Sequence, residues 1–160
     1  IDGYVEMVLQ AGMLYTTGPE QEAFIAYKRS DEKISMKAAK KLIKGTFAGS
    51  SFGEVVRMLS ILGSGGSSSV EKTLKKKKQK YLFVGLVCVR EKYQGQGYMR
   101  KALELAFAEG NRLGIPVVLD TDAELKSDKY RHLGMELAGI RTCKNGSKLY
   151  ELIKYPDPMT

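Results

Sequence analysis

The residues best suited to chemistry in this sequence are Gln94-Gly95-Gln96-Gly97-Tyr98-Met99-Arg100. Two closely spaced glycines let backbone approach a ligand with no Cβ in the way. If a helix opens at Tyr98, its first N–H groups have no intrahelical partner and, with the positive end of the helix dipole, converge on one point. Phosphate is the group that uses both features. Arg100 would add a charged donor.

Two other phosphate motifs fit less well. A P-loop needs Gly-Lys-Ser/Thr, which is absent here. A dinucleotide fingerprint needs a third glycine where Arg100 stands, and glycines close behind the strand. Asp120 only imitates the ribose-binding acid of that motif.

The flanking elements must hold this loop. Tyr81–Val89 is an apolar run rich in Val and Leu and predicts a buried strand, with Cys88 as a small buried side chain. Arg90–Gln96 reads as a polar loop. In Tyr98–Leu113, Met99, Ala102, Leu103, Ala106, Phe107 and Leu113 recur at helical spacing, and Gly114 and Pro116 stop the helix. Ile115–Leu119 is a further apolar strand, which makes a βαβ unit. Asp128–Leu133 reads as a short helix before Gly134. Glu136–Thr142 and Lys148–Ile153 read as strands joined through Asn145-Gly146, a hairpin signal.

Upstream, Ile1–Gly12 has helical spacing, and Met13–Thr17 and Ala23–Tyr27 read as a hairpin about Gly18-Pro19. Residues 31–80 read as a helical insert. Met36–Lys44 and Glu54–Leu62 are its helices, with Thr46–Gly53 between them. Gly63–Ser69 is its most flexible stretch, and Ser69 is placed to cap a short helix from Val70.

The segment Gln94–Met99 resembles the acyl-CoA loop of the GNAT superfamily of N-acetyltransferases, Gln/Arg-x-x-Gly-x-Gly/Ala, with Met99 at the last position. Tyr130-Arg131-His132-Leu133-Gly134-Met135 resembles that family's Tyr-x-x-x-Gly-Phe block, with Met135 in place of Phe. The two blocks stand in the family's order over residues 81–138. The insert at 31–80 resembles a bacterial-type subgroup.

The resemblance implies an α/β fold of the α+β type. Its mixed central sheet carries helices on both faces, and two splayed strands form the acyl-CoA cleft. Residues 1–160 would be one such domain. Because the chain starts at Ile1, the fold's first strand and helix are expected upstream. The implied reaction is transfer of an acetyl group from acetyl-CoA to a primary amine by direct attack, without a metal.

By resemblance, Val87, Cys88 and Val89 would offer backbone to the pantetheine arm, and an N–H near Val87 would face the oxyanion. Gln94, Gly95, Gln96, Gly97, Tyr98, Met99 and Arg100 would hold the pyrophosphate. Tyr130 would protonate the leaving thiolate, since an ordinary phenol keeps its proton at neutral pH. Lys126 stands where relatives often carry an Asn that contacts CoA. Asp120, Asp122 and water remain alternatives for the base. His132 reads as a surface or packing residue. The acceptor would be a small-molecule or peptide amine, and many relatives pair as homodimers.

The whole chain sets bounds on these readings. It has 160 residues, a net charge of +8 and a pI near 9.4, a balance that attracts polyanions. A basic nucleic-acid-binding module is therefore the main rival reading, carried by Lys72, Lys75–Lys78 and Lys80. No aromatic is interleaved there for base stacking, so nucleic acid is not the expected partner. A nucleotide-dependent oxidoreductase and a non-catalytic acyl-CoA binder are further rivals. No apolar run approaches the ~20 residues of a membrane span. Cys88 and Cys143 are the only cysteines and make no disulfide framework or zinc pattern, so the expected compartment is the cytoplasm.

Overall fold

The computed structural model describes residues 12–32, 68–143 and 146–158. The helix read from Ile1, up to residue 11, those read at Met36–Lys44 and Glu54–Leu62, and the stretch between the latter two lie outside the described residues, as does Asn145.

The described elements run β1 (Leu14–Thr16), β2 (Ala23–Arg29), α1 (Ser69–Lys76), β3 (Leu82–Val89), a 3-10 turn (Glu91–Tyr93), α2 (Tyr98–Leu113), β4 (Val117–Thr121), α3 (Glu124–His132), β5 (Glu136–Thr142) and β6 (Lys148–Lys154). The strands form one sheet in the order β1-β2-β3-β4-β6-β5. Only β3 and β4 are parallel. The other neighbours are antiparallel.

Alternation along the strands sends side chains to two faces. Leu82, Val84, Val117, Leu119 and Leu152 pack with Ala102, Leu103, Ala106 and Phe107 of α2 and with Tyr130 of α3. Phe83, Val118 and Ile153 point the other way and pack with Leu74 of α1. Helices therefore cover both faces of the mixed sheet, as expected. The face of α2 read from its spacing is the face that is buried.

One irregularity governs the site. Across β2 and β3, Ala26 pairs with Leu86 and Tyr27 with Val84, so Gly85 is an extra residue on β3. Such a bulge bends a strand and sharpens its twist. On the opposite edge, β3 pairs with β4 only through Leu82–Val117 and Phe83–Val118. The parallel pairing ends just before Gly85, and β3 and β4 part beyond it.

Several boundaries differ from the sequence reading. The fourth strand starts at Val117, not Ile115. Gly114 is left-handed (φ +65°), and the Ile115 N–H donates to Gly110 O at 3.0 Å, closing the end of α2. Pro116 has no N–H to pair. Helix α3 starts at Glu124, four residues before the expected Asp128; its N-cap, Ala123, makes no side-chain cap bond to mark the start. Helix α1 is capped by Ser68, not Ser69. The Ser68 hydroxyl accepts the Glu71 N–H, and the Glu71 carboxylate accepts the Ser68 N–H. Cys88 is exposed, not buried, because the alternation that buries Phe83 and Val84 runs past the helices at that end of β3.

Candidate active site

The loop between β3 and α2 is held by its own side chains. Arg90 Nη1 donates to Glu20 O at 2.8 Å and ties the loop to the β1–β2 turn. Gln94 Nε2 donates to Val89 O at 3.3 Å, and Gln96 Nε2 to Lys92 O at 3.0 Å. Gly95 and Gly97 both sit at positive φ, +76° and +82°, a region open to glycine and strained for most other residues.

The two helix starts on either side of the sheet contrast. At α1, Ser68 and Glu71 satisfy the first N–H groups reciprocally. At α2, the N-cap is Gly97, no side chain caps the helix, and its first turn contains no acid. The N–H groups of Tyr98, Met99 and Arg100 therefore have no intrahelical acceptor. A helix left open in this way, with Arg100 in its first turn, presents free N–H donors and positive charge of the kind that suit an anion.

This open end faces a cleft of about 800 Å³ between the loop and α3. Gln94, Gly95, Gly97, Tyr98, Met99 and Arg100 form one wall with Val89. Leu125, Lys126, Lys129 and His132 lie on the α3 wall. Met99 also packs against the core, so a larger side chain than Gly or Ala is accommodated at that position. The rim is basic and aromatic. Tyr93 and Tyr98 meet edge to face at 5.4 Å, with Lys92 Nζ 4.7 Å from the Tyr93 ring centre and Lys101 Nζ 4.6 Å from that of Tyr98.

Where β3 and β4 part, a void of about 30 Å³ is lined by Gly85, Val87, Asp120, Lys126 and Tyr130, among others. Lys126 borders both this void and the cleft, so the two meet along α3. Tyr130 is buried at 6% exposure in the core under the sheet. Asp120 is also buried, and Arg141 Nη2 lies 3.3 Å from its Oδ2.

The structure thus brings together most of the residues singled out from the sequence. Val89, Gln94, Gly95, Gly97, Tyr98, Met99, Arg100 and Lys126 line the cleft, and Val87, Tyr130 and Asp120 line the void. Cys88, Gln96 and Asp122 line neither. Gln96 turns its amide back onto the loop, and Cys88 pairs with Phe24 on β2. His132 is exposed on the cleft wall. Gly85 was missed, although an isolated glycine inside an apolar strand is a bulge signal.

The loop, the open helix end and the parted strands fit an acyl-CoA: a phosphate seat at one end, free strand backbone at the other. Among the described residues, no helix is long and apolar enough to cross a membrane.

Comparison with known proteins agrees with this geometry. Residues 16–133 match the model of the acetyltransferase (GNAT) family. No curated protein matches the chain. Among solved structures, the chain is similar to a polyamine N-acetyltransferase of Drosophila melanogaster that forms N-acetylagmatine (TM-score 0.62, 13% identity, covering 95% of this chain and 78% of that one). It is also similar to arylalkylamine N-acetyltransferase 2 of Aedes aegypti (TM-score 0.63, 11% identity, covering 96% and 78%). A third is the NatC complex bound to Gag peptide and CoA (TM-score 0.54, 13% identity, covering 96% and 78%). At these identities the likeness is one of fold, and the family match spans most of the chain. The chain belongs to the GNAT family of acetyltransferases.

Proposed function

We propose that this protein transfers an acetyl group from acetyl-CoA to the primary amine of a small-molecule acceptor. The observation that carries this reading is the uncapped start of α2 behind Gly95 and Gly97, which meets the parting of β3 and β4 along Lys126 and Tyr130. Acetyl-CoA, the co-substrate, supplies an acyl group activated as a thioester.

The chain's residues would then divide the work. The backbone of Gly95–Arg100 and the Arg100 guanidinium hold the pyrophosphate. The free edge of β3 at Val87–Val89 orients the pantetheine arm, and an N–H near Val87 faces the carbonyl oxygen. Lys126 adds a contact where cleft and void meet. The amine nitrogen bonds to the carbonyl carbon as the carbon–sulfur bond breaks. Tyr130 holds the proton that the departing sulfur takes up. Asp120 is favoured over Asp122 as the group that receives the amine's proton, directly or through water, because it shares the void with Tyr130.

Small amines are favoured as acceptors because two solved structures of similar fold are enzymes named for polyamines and arylalkylamines. The free thiols Cys88 and Cys143 suit the reducing cytoplasm.

Thiol release from acetyl-CoA with agmatine, tyramine or a short peptide as acceptor tests the proposal. Tyr130→Phe should lower kcat at least tenfold and leave the Kd for acetyl-CoA unchanged. Unchanged kcat in the variant would remove Tyr130 from the reaction.

A further inference from the structure

The reaction proposed above gives no task to the charged groups packed against Asp120. Asp120 is the one acid among the described residues that line the void where β3 and β4 part. Its direct partner across β4 and β6 is Glu151, and both are buried. Each stands two residues from a side chain packed under α1, Val118 and Ile153, so both carboxylates share that face of the sheet. Like charges opposed in this way repel, and Asp120 left to itself would turn from Glu151. Arg141 of β5 stands between them. Its Nη2 donates to Asp120 Oδ2 at 3.3 Å, and its Nε lies 3.5 Å from Glu151 Oε1. Glu151 is itself fixed, because it accepts the Ser69 N–H at 3.1 Å and the Ser69 hydroxyl. A planar guanidinium held at one end by a fixed carboxylate has a fixed direction at the other.

We propose that Arg141 is a positioning residue for Asp120: by engaging Oδ2 it sets the rotation of the carboxylate, and so where the other oxygen meets the void. The inference rests on the reading of Asp120 as the group that receives the amine's proton, and deepens it. As the amine nitrogen bonds to the carbonyl carbon, its N–H bond breaks and an O–H bond forms on Asp120. That transfer needs the carboxylate oxygen within hydrogen-bond reach of the amine or of one water. A misplacement of about 1 Å costs on the order of a hundredfold in rate. Arg141 lines neither the cleft nor the void, so its part in the reaction runs through Asp120.

A kinetic cycle of Arg141→Met and Asp120→Asn tests this. It uses whichever of agmatine, tyramine and a short peptide is turned over best, with the Kd for acetyl-CoA measured beside kcat for each protein. Arg141→Met should lower kcat about tenfold and leave the Kd unchanged. In the Asp120→Asn background it should lower kcat no further. Arg141→Lys keeps the charge but loses the planar fork, and should recover part of the rate. Should Arg141→Met fail to fold, Arg141→Lys goes through the same cycle, with a smaller loss expected that again vanishes in the Asp120→Asn background. Equal losses in both backgrounds, or acetyl-CoA binding that falls with kcat, would overturn the inference and leave Asp120 in its place. Unchanged kcat in Asp120→Asn alone would remove Asp120 from the reaction and Arg141 with it. If no acceptor is turned over by the wild type, the acetyltransfer reading fails, and this inference with it.

Discussion

Arg141 Nη2 lies 3.3 Å from Asp120 Oδ2, and the same guanidinium places its Nε 3.5 Å from Glu151 Oε1. Asp120 and Glu151 are direct partners across β4 and β6, and both are buried. Glu151 also accepts the Ser69 N–H at 3.1 Å and the Ser69 hydroxyl. One cation thus joins β4, β6 and β5, and Glu151 links them to the start of α1.

Arg141→Met removes the guanidinium from between two opposed buried carboxylates. Like charges opposed across a sheet repel, and breaking a buried ion pair costs about 3 kcal/mol. Urea unfolding should show a loss of that order. Adding Glu151→Gln should recover part of it, because one of the two charges is gone. A loss that the second change deepens would mean that Glu151 serves Ser69 more than it opposes Asp120.

Tyr81 donates to Glu71 Oε1 at 2.8 Å in the buried layer under α1. Tyr81→Phe leaves that carboxylate oxygen without its phenol and should cost about 1–3 kcal/mol, read by the same unfolding curves.

Stability should also fall in alkali. Burial, then the charges of Tyr15 and Glu109, push the Tyr27 phenol up to about 12. In the unfolded chain it ionises near its ordinary value of about 10. Between these values the unfolded state holds fewer protons, so stability declines as pH rises from about 10 towards 12. Burial and Glu71 also raise Tyr81, so it adds to the same decline. Tyr27→Phe should flatten the slope of the unfolding midpoint in this window. An unchanged slope would show that Tyr27 does not contribute.

Gly110 lies on the buried face of α2 against β4. A Cβ there would come 2.7 Å from Val117 Cγ2 and 3.0 Å from the Ile115 carbonyl oxygen. Ala improves helix propensity by about 1 kcal/mol, but forcing a methyl against backbone costs about 1–3 kcal/mol. Gly110→Ala should therefore lower the thermal midpoint, and a rise would mean that α2 can shift on the sheet.

Much of this fold was legible because its signals are local. Helix α2 has its expected bounds because glycines mark both ends and its apolar residues keep one period. Strand β5 also has its expected bounds. Helix α3 was cut short because Leu125 is exposed to the cleft and gives no core-facing signal in the first turn. Cys88 was read as buried because an apolar strand does not show where its covering helices stop. The buried charges were the least legible. Glu151 meets Ser69 across 82 positions of chain, and no local pattern marks either as a partner. Of the site, the glycine loop and Tyr130 were legible as motifs, and the parting of β3 and β4 depends on a bulge that only the register reveals.

The most direct test of the account is thermal unfolding with acetyl-CoA, beside NADH and a short DNA duplex at matched ionic strength, for the wild type and Gly97→Val. At a hundred times its Kd, a ligand specific to the folded state adds about 2.7 kcal/mol. A Cβ at Gly97 meets no atom within 4 Å, and its positive φ makes backbone strain of about 1–2 kcal/mol the main cost of the variant, relieved by turning the loop's N–H groups away. The account predicts a higher midpoint with acetyl-CoA alone, lost in Gly97→Val. A rise with NADH or DNA and none with acetyl-CoA would contradict it.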